Sequence, residues 1–393
     1  MRKGWEYKKL GEVCCLKSKI QRATKCFGGS DEILYIDISS IDNSVQEVNS
    51  ITSFTMSNAP SRAQQKVEYG DIIVSTVRPN LKNVAVIKQH DSNLVASSGF
   101  CVLRTTDDIE RNYLFRYITS DIFTQHLMKL TTGANYPAVR DLDVRDSTIP
   151  LPPKSTQLAI VSELDKINEL IRLKKEQLKD FDNLAQSLFY EMFGDPVENE
   201  KGWEVKKLGE ICTDITDGDH MPPPKSEFGI PFITISDIDK DTRCLNFENT
   251  FYVPEDYYNN LKENRKPQKG DLLYTVTGSY GIPVIVKTDK KFCFQRHIAL
   301  LRPNKEILST IFLCYWVLSD GVKFMADKVA TGIAQKTVGL NSIRKFSCIL
   351  PPLSLQRLFA QRIEQIEREK SEVQKSIQDL ETLLASRMQY WFE

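Results

Sequence analysis

Two stretches of the chain carry apolar residues on a heptad period. In Lys154–Tyr190 they fall at Ile160, Leu164, Ile167, Ile171, Leu178, Phe181 and Leu188, an a/d stripe broken once by Lys174. Pro152, Pro153 and Ser155 supply helix-start signals, and Gly194-Asp195-Pro196 a stop. At 1.5 Å per residue this predicts a rod of about 55 Å. A second stretch follows Ile349–Gln356, with its stripe at Phe359, Ile363, Ile366, Val373, Ile377, Leu380 and Leu384, broken once by Lys370. Such helices must cover their stripes. They can pair with each other, or each can pack on a globular neighbour. Sustained heptads with one polar break per seam favour pairing.

Elsewhere the pattern predicts α+β units. Glu32–Ile38, Asp71–Val77, Asn83–Lys88 and Gly99–Arg104 are short, β-branched and bounded by turn formers, as strands are. Ile230–Ile235, Asp271–Thr277, Pro283–Lys287 and His297–Arg302 are their counterparts. Arg111–Leu130 and Glu306–Val329 have helical spacing, and their aromatic-rich faces read as core.

These parallels are one long repeat. Gly4–Glu12 (GWEYKKLGE) recurs as Gly202–Glu210 (GWEVKKLGE), and Tyr69–Ile73 as Lys269–Leu273. Thr132-Gly133 recurs as Thr331-Gly332, and Ile149–Gln157 as Ile349–Gln356. A near-constant offset across the chain means two homologous halves, each a globular unit followed by a long helix.

Charge changes the picture only locally. The chain holds 52 Lys+Arg and 52 Asp+Glu, so net charge announces no partner. Yet residues 1–30 carry eight basic residues against two acids, and 262–305 carry ten against three, patches compatible with phosphate contacts. Nine scattered cysteines without a Cys-x-x-Cys pair, and four histidines without ligand spacing, indicate neither metal site nor disulfide framework. No P-loop or nucleophile motif is present, and no double proline has the flanks with which base methyltransferases grip a flipped base. Asp214, Asp217, Asp219 and His220 lack calcium-loop spacing and read as a solvated or contact loop. No apolar run approaches a membrane span or signal peptide, so a reduced cytoplasmic location is expected.

Where the halves differ, they differ in loops. Arg78–Asn83 aligns with Gly278–Pro283, Ser97-Ser98 with Gln295-Arg296, and Ala134–Arg140 with Ile333–Gly339. A repeated scaffold with divergent loops suits two copies of one reader that recognise different things.

On Gly-Trp-Glu…Leu-Gly-Glu opening each half, the Thr-Gly loop, Leu-Pro-Pro-x-x-x-Gln entering each long helix, and the duplication itself, the chain resembles the specificity subunit of a Type I restriction–modification enzyme over its full length. The resemblance implies an α+β protein with a pseudo-two-fold internal repeat. Two α/β target-recognition domains (1–150 and 194–349) would be separated by two long helices (151–193 and 350–393) forming an antiparallel coiled coil. It implies binding of an asymmetric, split double-stranded DNA target. It also implies docking of two methyltransferase subunits and of motor-nuclease subunits, with S-adenosylmethionine, ATP and Mg belonging to those partners and no catalysis in this chain. Loop position and residue type nominate Arg78, Asn80, Lys82, Ser98, Tyr136 and Arg140 for DNA contact in the first half. Thr277, Ser279, Tyr280, Arg296, Gln335 and Lys336 are nominated in the second. The outer helix faces, with Phe189, Phe193, Trp391 and Phe392 near the helix ends, are candidates for methyltransferase docking, and burial of those aromatics against the chain's own domains is the equal alternative. The competing readings are a coiled-coil adaptor joining two protein-binding domains and a self-sufficient nuclease or methyltransferase.

Overall fold

The central strands of each half, Ile72–Ser75 and Leu272–Thr275, are buried at every position because both of their faces are covered. The computed structural model describes all residues except 1–3, 16–18, 134–135, 221 and 333–334, so parts of the aligned loops at 134–140 and 333–339, and Leu16, Lys17, Ser18 and Met221, lie outside the described residues. The described chain divides into two units, Met1–Lys174 with Ser376–Glu393, and Lys175–Lys375. The division falls inside both long helices.

In the first unit, Ile72–Ser75 lies between Phe100–Leu103 and Val84–Val86, antiparallel to both. Its side chains alternate between two cores. Ile72 and Val74, with Cys101 and Leu103, face a helical layer holding Tyr113, Leu114, Tyr117 and Phe123. Ile73, with Phe100 and Val102, faces Ile36 and Ala96. Those two residues belong to a four-stranded sheet ordered Thr52–Thr55, Glu32–Ile36, Leu94–Ser97, Ala63–Lys66, in which the middle two strands run parallel. Glu6–Lys9 pairs with Thr148–Leu151 and closes the half on itself.

The second unit repeats the plan. Leu272 and Tyr274 face the helical core, and Leu273 faces the other side with Ile298 and Leu300. Glu204–Lys207 pairs with Ser347–Leu350 as the first half's end strands do. This half adds Cys212–Asp217 as an edge strand on Ile298–Pro303, with a bulge between Cys212 and Asp214.

Each predicted 20-odd-residue helix is two. Arg111–Ile118 and Asp121–Leu130 meet at Ser120, whose Oγ accepts from the Phe123 N–H at 3.2 Å. Thr310–Leu318 and Asp320–Val329 meet at Ser319. The apolar period runs through both junctions and hides them, but a serine at N-cap geometry starts a new helix.

The long helices run Lys154–Phe193 and Leu353–Phe392. In the first unit, Ile160 and Leu164 share a core with Leu384, Met388 and Phe392. Glu163 accepts from Arg387 and, at 3.1 Å, from the Trp391 indole N–H. In the second unit, Ala185, Phe189 and Phe193 share a core with Phe359, Ile363 and Ile366. Both pairings match the start of one helix with the end of the other, so they are antiparallel. Ile167, Ile171, Val373 and Ile377 are buried along the stripes, and Leu178, Phe181, Leu380 and Leu384 are partly covered. After Phe181 the stripe steps by four to Ala185, Phe189 and Phe193, leaving Leu188 only half-buried, since a straight helix drifts off a strict heptad. Lys370, the polar break, reaches Asp182 at 2.8 Å.

Of the two alternatives for the aromatics near the helix ends, docking or burial, the structure shows burial for Phe189, Phe193 and Phe392. Phe189 and Phe193 are fully buried in the second core, and Phe392 inserts beside Tyr113 and Tyr117 in the first, with ring centroids 5.4 and 5.5 Å apart. Trp391 stacks on Trp5 at 6.2 Å. Large apolar rings this close to a globular core gain more by burial than by exposure.

The Leu-Pro-Pro-x-x-x-Gln motif has a local cause. Gln157, 1% exposed, donates its amide to the Pro152 carbonyl at 2.9 Å and accepts the Glu110 N–H at 2.8 Å. Gln356 does the same with Pro351 and Ser309, both at 2.8 Å. The prolines set the chain's entry angle, and the glutamine satisfies backbone groups that neither helix nor strand can.

Candidate nucleic-acid interface

In each half the loops that diverge in sequence are tied together by backbone bonds that repeat. Val139 donates to the Thr76 carbonyl at 2.9 Å, and Val338 to Val276 at 2.9 Å. Arg78 N–H reaches the Pro137 carbonyl at 2.7 Å, and Gly278 N–H the Lys336 carbonyl at 2.9 Å. This scaffold fixes where the variable side chains emerge, whatever they are.

In the first half it brings Arg78 and Tyr136 together, with the guanidinium 4.5 Å above the ring. Arg78 and Lys82 both adopt left-handed backbone, φ 50° and 51°, flanking the turn Pro79–Leu81 that leaves Asn80 exposed. Tyr136 is 68% exposed, so its free face is open to stack on a ligand. Lys82 is less free, since its ammonium pairs with Asp121 at 2.7 Å. Arg140 caps the helix Asp141–Asp146 and pairs with Asp143 at 2.6 Å, which holds its charge firmly in place.

Ser98 lines a cleft of about 900 Å³ together with Thr76, Gln64, Arg22 and Lys25. The last three were missed from sequence. The basic bias of residues 1–30 was visible, but without a counterpart in the second half nothing marked which of its cations would face the loops.

In the second half Gly278 and Gly281 take φ of 70° and 94°, a tight turn that presents Ser279. Lys240 donates to the Ser279 hydroxyl at 3.2 Å. Tyr280 is occupied by Asp327, whose hydrogen bond raises the phenol's pKa. Thr277 is buried and bonds Thr337 at 3.3 Å, a structural place that leaves it no outward face. Gln335, Lys336 and Arg296 are exposed. Arg296 borders a cleft of about 310 Å³ with Gln295, His297, His220, Pro222 and Pro223. Asp217 pairs with His220 at 2.9 Å and Arg265 at 3.5 Å, while Asp214 pairs with Arg302 at 3.5 Å. The acidic loop thus offsets neighbouring cations, and no cluster of metal-ligating side chains forms among the described residues.

The described part of this surface is cationic, amide-rich and aromatic. No helix among the described residues is long and apolar enough to cross a membrane.

Comparison with known proteins agrees with this chemistry. The profile described as "Type I restriction modification DNA specificity domain" matches twice, over residues 2–180 and 200–382. The MjaX specificity subunit of Methanocaldococcus jannaschii, a putative type I restriction enzyme component, is 22% identical over 349 residues, covering 82% of this chain and 79% of the relative. The EcoKI specificity subunit of Escherichia coli K12 is 23% identical over 339 residues, covering 80% and 72%. The MjaIX specificity subunit is 27% identical over 186 residues, 43% of this chain and 42% of that protein. A chain solved in a study of complex assembly and conformational transition of the type I R-M system aligns over 100% of this chain and 98% of its own, at 27% identity and TM-score 0.70. With both halves matched by one family's profile, the chain belongs to the Type I restriction–modification DNA specificity family and carries two copies of its domain.

Proposed function

We propose that each globular half reads one part of a split double-stranded DNA target, and that the two long helices set the length of the unread spacer. The observation that carries this is the repeated loop scaffold. The same backbone bonds present Arg78, Tyr136 and Ser98 in one half and Ser279, Gln335 and Arg296 in the other. Such residues contact phosphates and base edges, and different sets on one frame give an asymmetric target. Arg22 and Lys25 extend the first surface. Methyltransferase and motor-nuclease subunits would dock on the helices' outer faces and bring S-adenosylmethionine, ATP and Mg. This chain would supply no catalytic group. An adaptor without a DNA role leaves the paired clefts and the family match unexplained.

The test is a map of methylated adenines in cells with and without the gene, repeated after inserting one heptad into both helices. The expected result is a gene-dependent split motif whose spacer lengthens while its half-sites keep their bases. Changed half-site bases would refute the ruler.

A further inference from the structure

The cleft of the second half differs in chemistry from that of the first. Pro222, Pro223, Phe232 and Phe251 supply its apolar lining. Phe232 and Phe251 stack with centroids 4.9 Å apart and planes at 21°, so this wall is rigid carbon. Part of the cleft's polar lining is held by hydrogen bonds. The Gln295 oxygen accepts the Ile235 N–H at 3.3 Å, and its nitrogen lies 2.9 Å from His297 Nδ1. Burial, reinforced by the adjacent Arg296, lowers the His297 pKa and favours the uncharged ring. The first half's cleft has no prolines in its lining and sets Arg22, Lys25 and three glutamine amides beside Ile20, Phe100 and Val139.

Among the edges that bases present in the major groove, thymine alone sets a methyl group beside a carbonyl acceptor. A fixed slot of proline and phenylalanine next to a neutral polar wall matches that pair of features. It penalises cytosine, which has no C5-methyl and an amine donor in place of the carbonyl, and a phosphate, which carbon cannot solvate. Arg296 at the rim supplies the charge that draws the duplex in.

We infer that this cleft is a pocket for the C5-methyl of a thymine, so that the second half reads an A·T pair at a fixed position of its half-site. The inference rests on the DNA-reading function proposed above and adds a base to it.

The test uses the full chain, co-purified with its modification partner, and the target found by methylation mapping. Duplexes carry deoxyuridine at each thymine in turn, which removes only the methyl, and affinity is measured by competition against the unmodified target. Loss of about 3–10-fold at one thymine is expected, as for burial of one methyl group. In Pro223→Asp, thymine and deoxyuridine at that position should bind alike. Full affinity at every deoxyuridine position, with the mapped target still preferred over scrambled duplex, overturns the pocket and leaves the DNA-reading function standing. No preference for the mapped target overturns that function itself.

Discussion

Glu110 donates its backbone N–H to the side chain of Gln157 across 47 residues of sequence, at 2.8 Å. The bond ties the first helix of the globular layer to the entry of the long helix, and Ser309 and Gln356 repeat it at 2.8 Å. Gln157→Leu keeps the volume but strands the Glu110 N–H and the Pro152 carbonyl. Each leucine variant is expected to lose about 1–3 kcal/mol, read as a lower urea midpoint at unchanged slope.

Glu163 responds to acid. Its hydrogen bond from Arg387, then the charge of that residue, holds the carboxyl below the usual carboxylate range. A depressed carboxylate stabilises the fold above the unfolded-state value and loses that contribution as pH falls through the folded value. Relative to Glu163→Gln, the native chain should be more stable at pH 7 and should lose that margin on acidification through and below the ordinary carboxylate range. Parallel urea titrations at both pH values would detect it, and an equal margin at both would contradict it.

The thiols should sort by burial. Cys14, Cys212, Cys293 and Cys314 are pushed up to about 12 by desolvation, and Cys348 rises well above its ordinary value for the same reason. Cys244 is exposed. At pH 8 iodoacetamide should label Cys244 in the folded chain and leave those five unmodified until denaturant is added, because the thiolate is the reactive form. Peptide mass mapping reads this directly.

Two cations of the first half should behave differently on DNA. Arg78→Ala is expected to cost about 1–3 kcal/mol on the cognate target and to relax one base position. Lys25→Ala should weaken all sequences alike and reduce the slope of log affinity against log salt by about 1. Salt titrations on cognate and scrambled duplexes separate the two.

Much of this architecture could be read from residues alone, because duplication prints the same signal twice. Gly-Trp-Glu, the Leu-Pro-Pro-x-x-x-Gln entries and the heptads fixed the layout of halves and helices. The parallel pairing of Glu32–Ile36 with Leu94–Ser97 was hidden, since four buried residues after a loop carry no alternation. Docking and burial both stood open for Phe189, Phe193 and Phe392, because a stripe shows which residues share a face but not what meets it, and the two cores take all three. Arg22 and Lys25 could not be picked out, as cleft walls come from segments far apart in sequence. Thr277 and Tyr280 had the right type and the right loop, yet internal hydrogen bonds claim both.

Phe392 completes the core that Tyr113 and Tyr117 begin, and this orders events at the ribosome. The residues that finish the first unit are translated only after all of Lys175–Lys375. At roughly 5–20 residues per second that is a wait of about 10–40 s. Until then Tyr113 and Tyr117 lack the ring that covers them, so the first unit cannot complete its core before the second has been made.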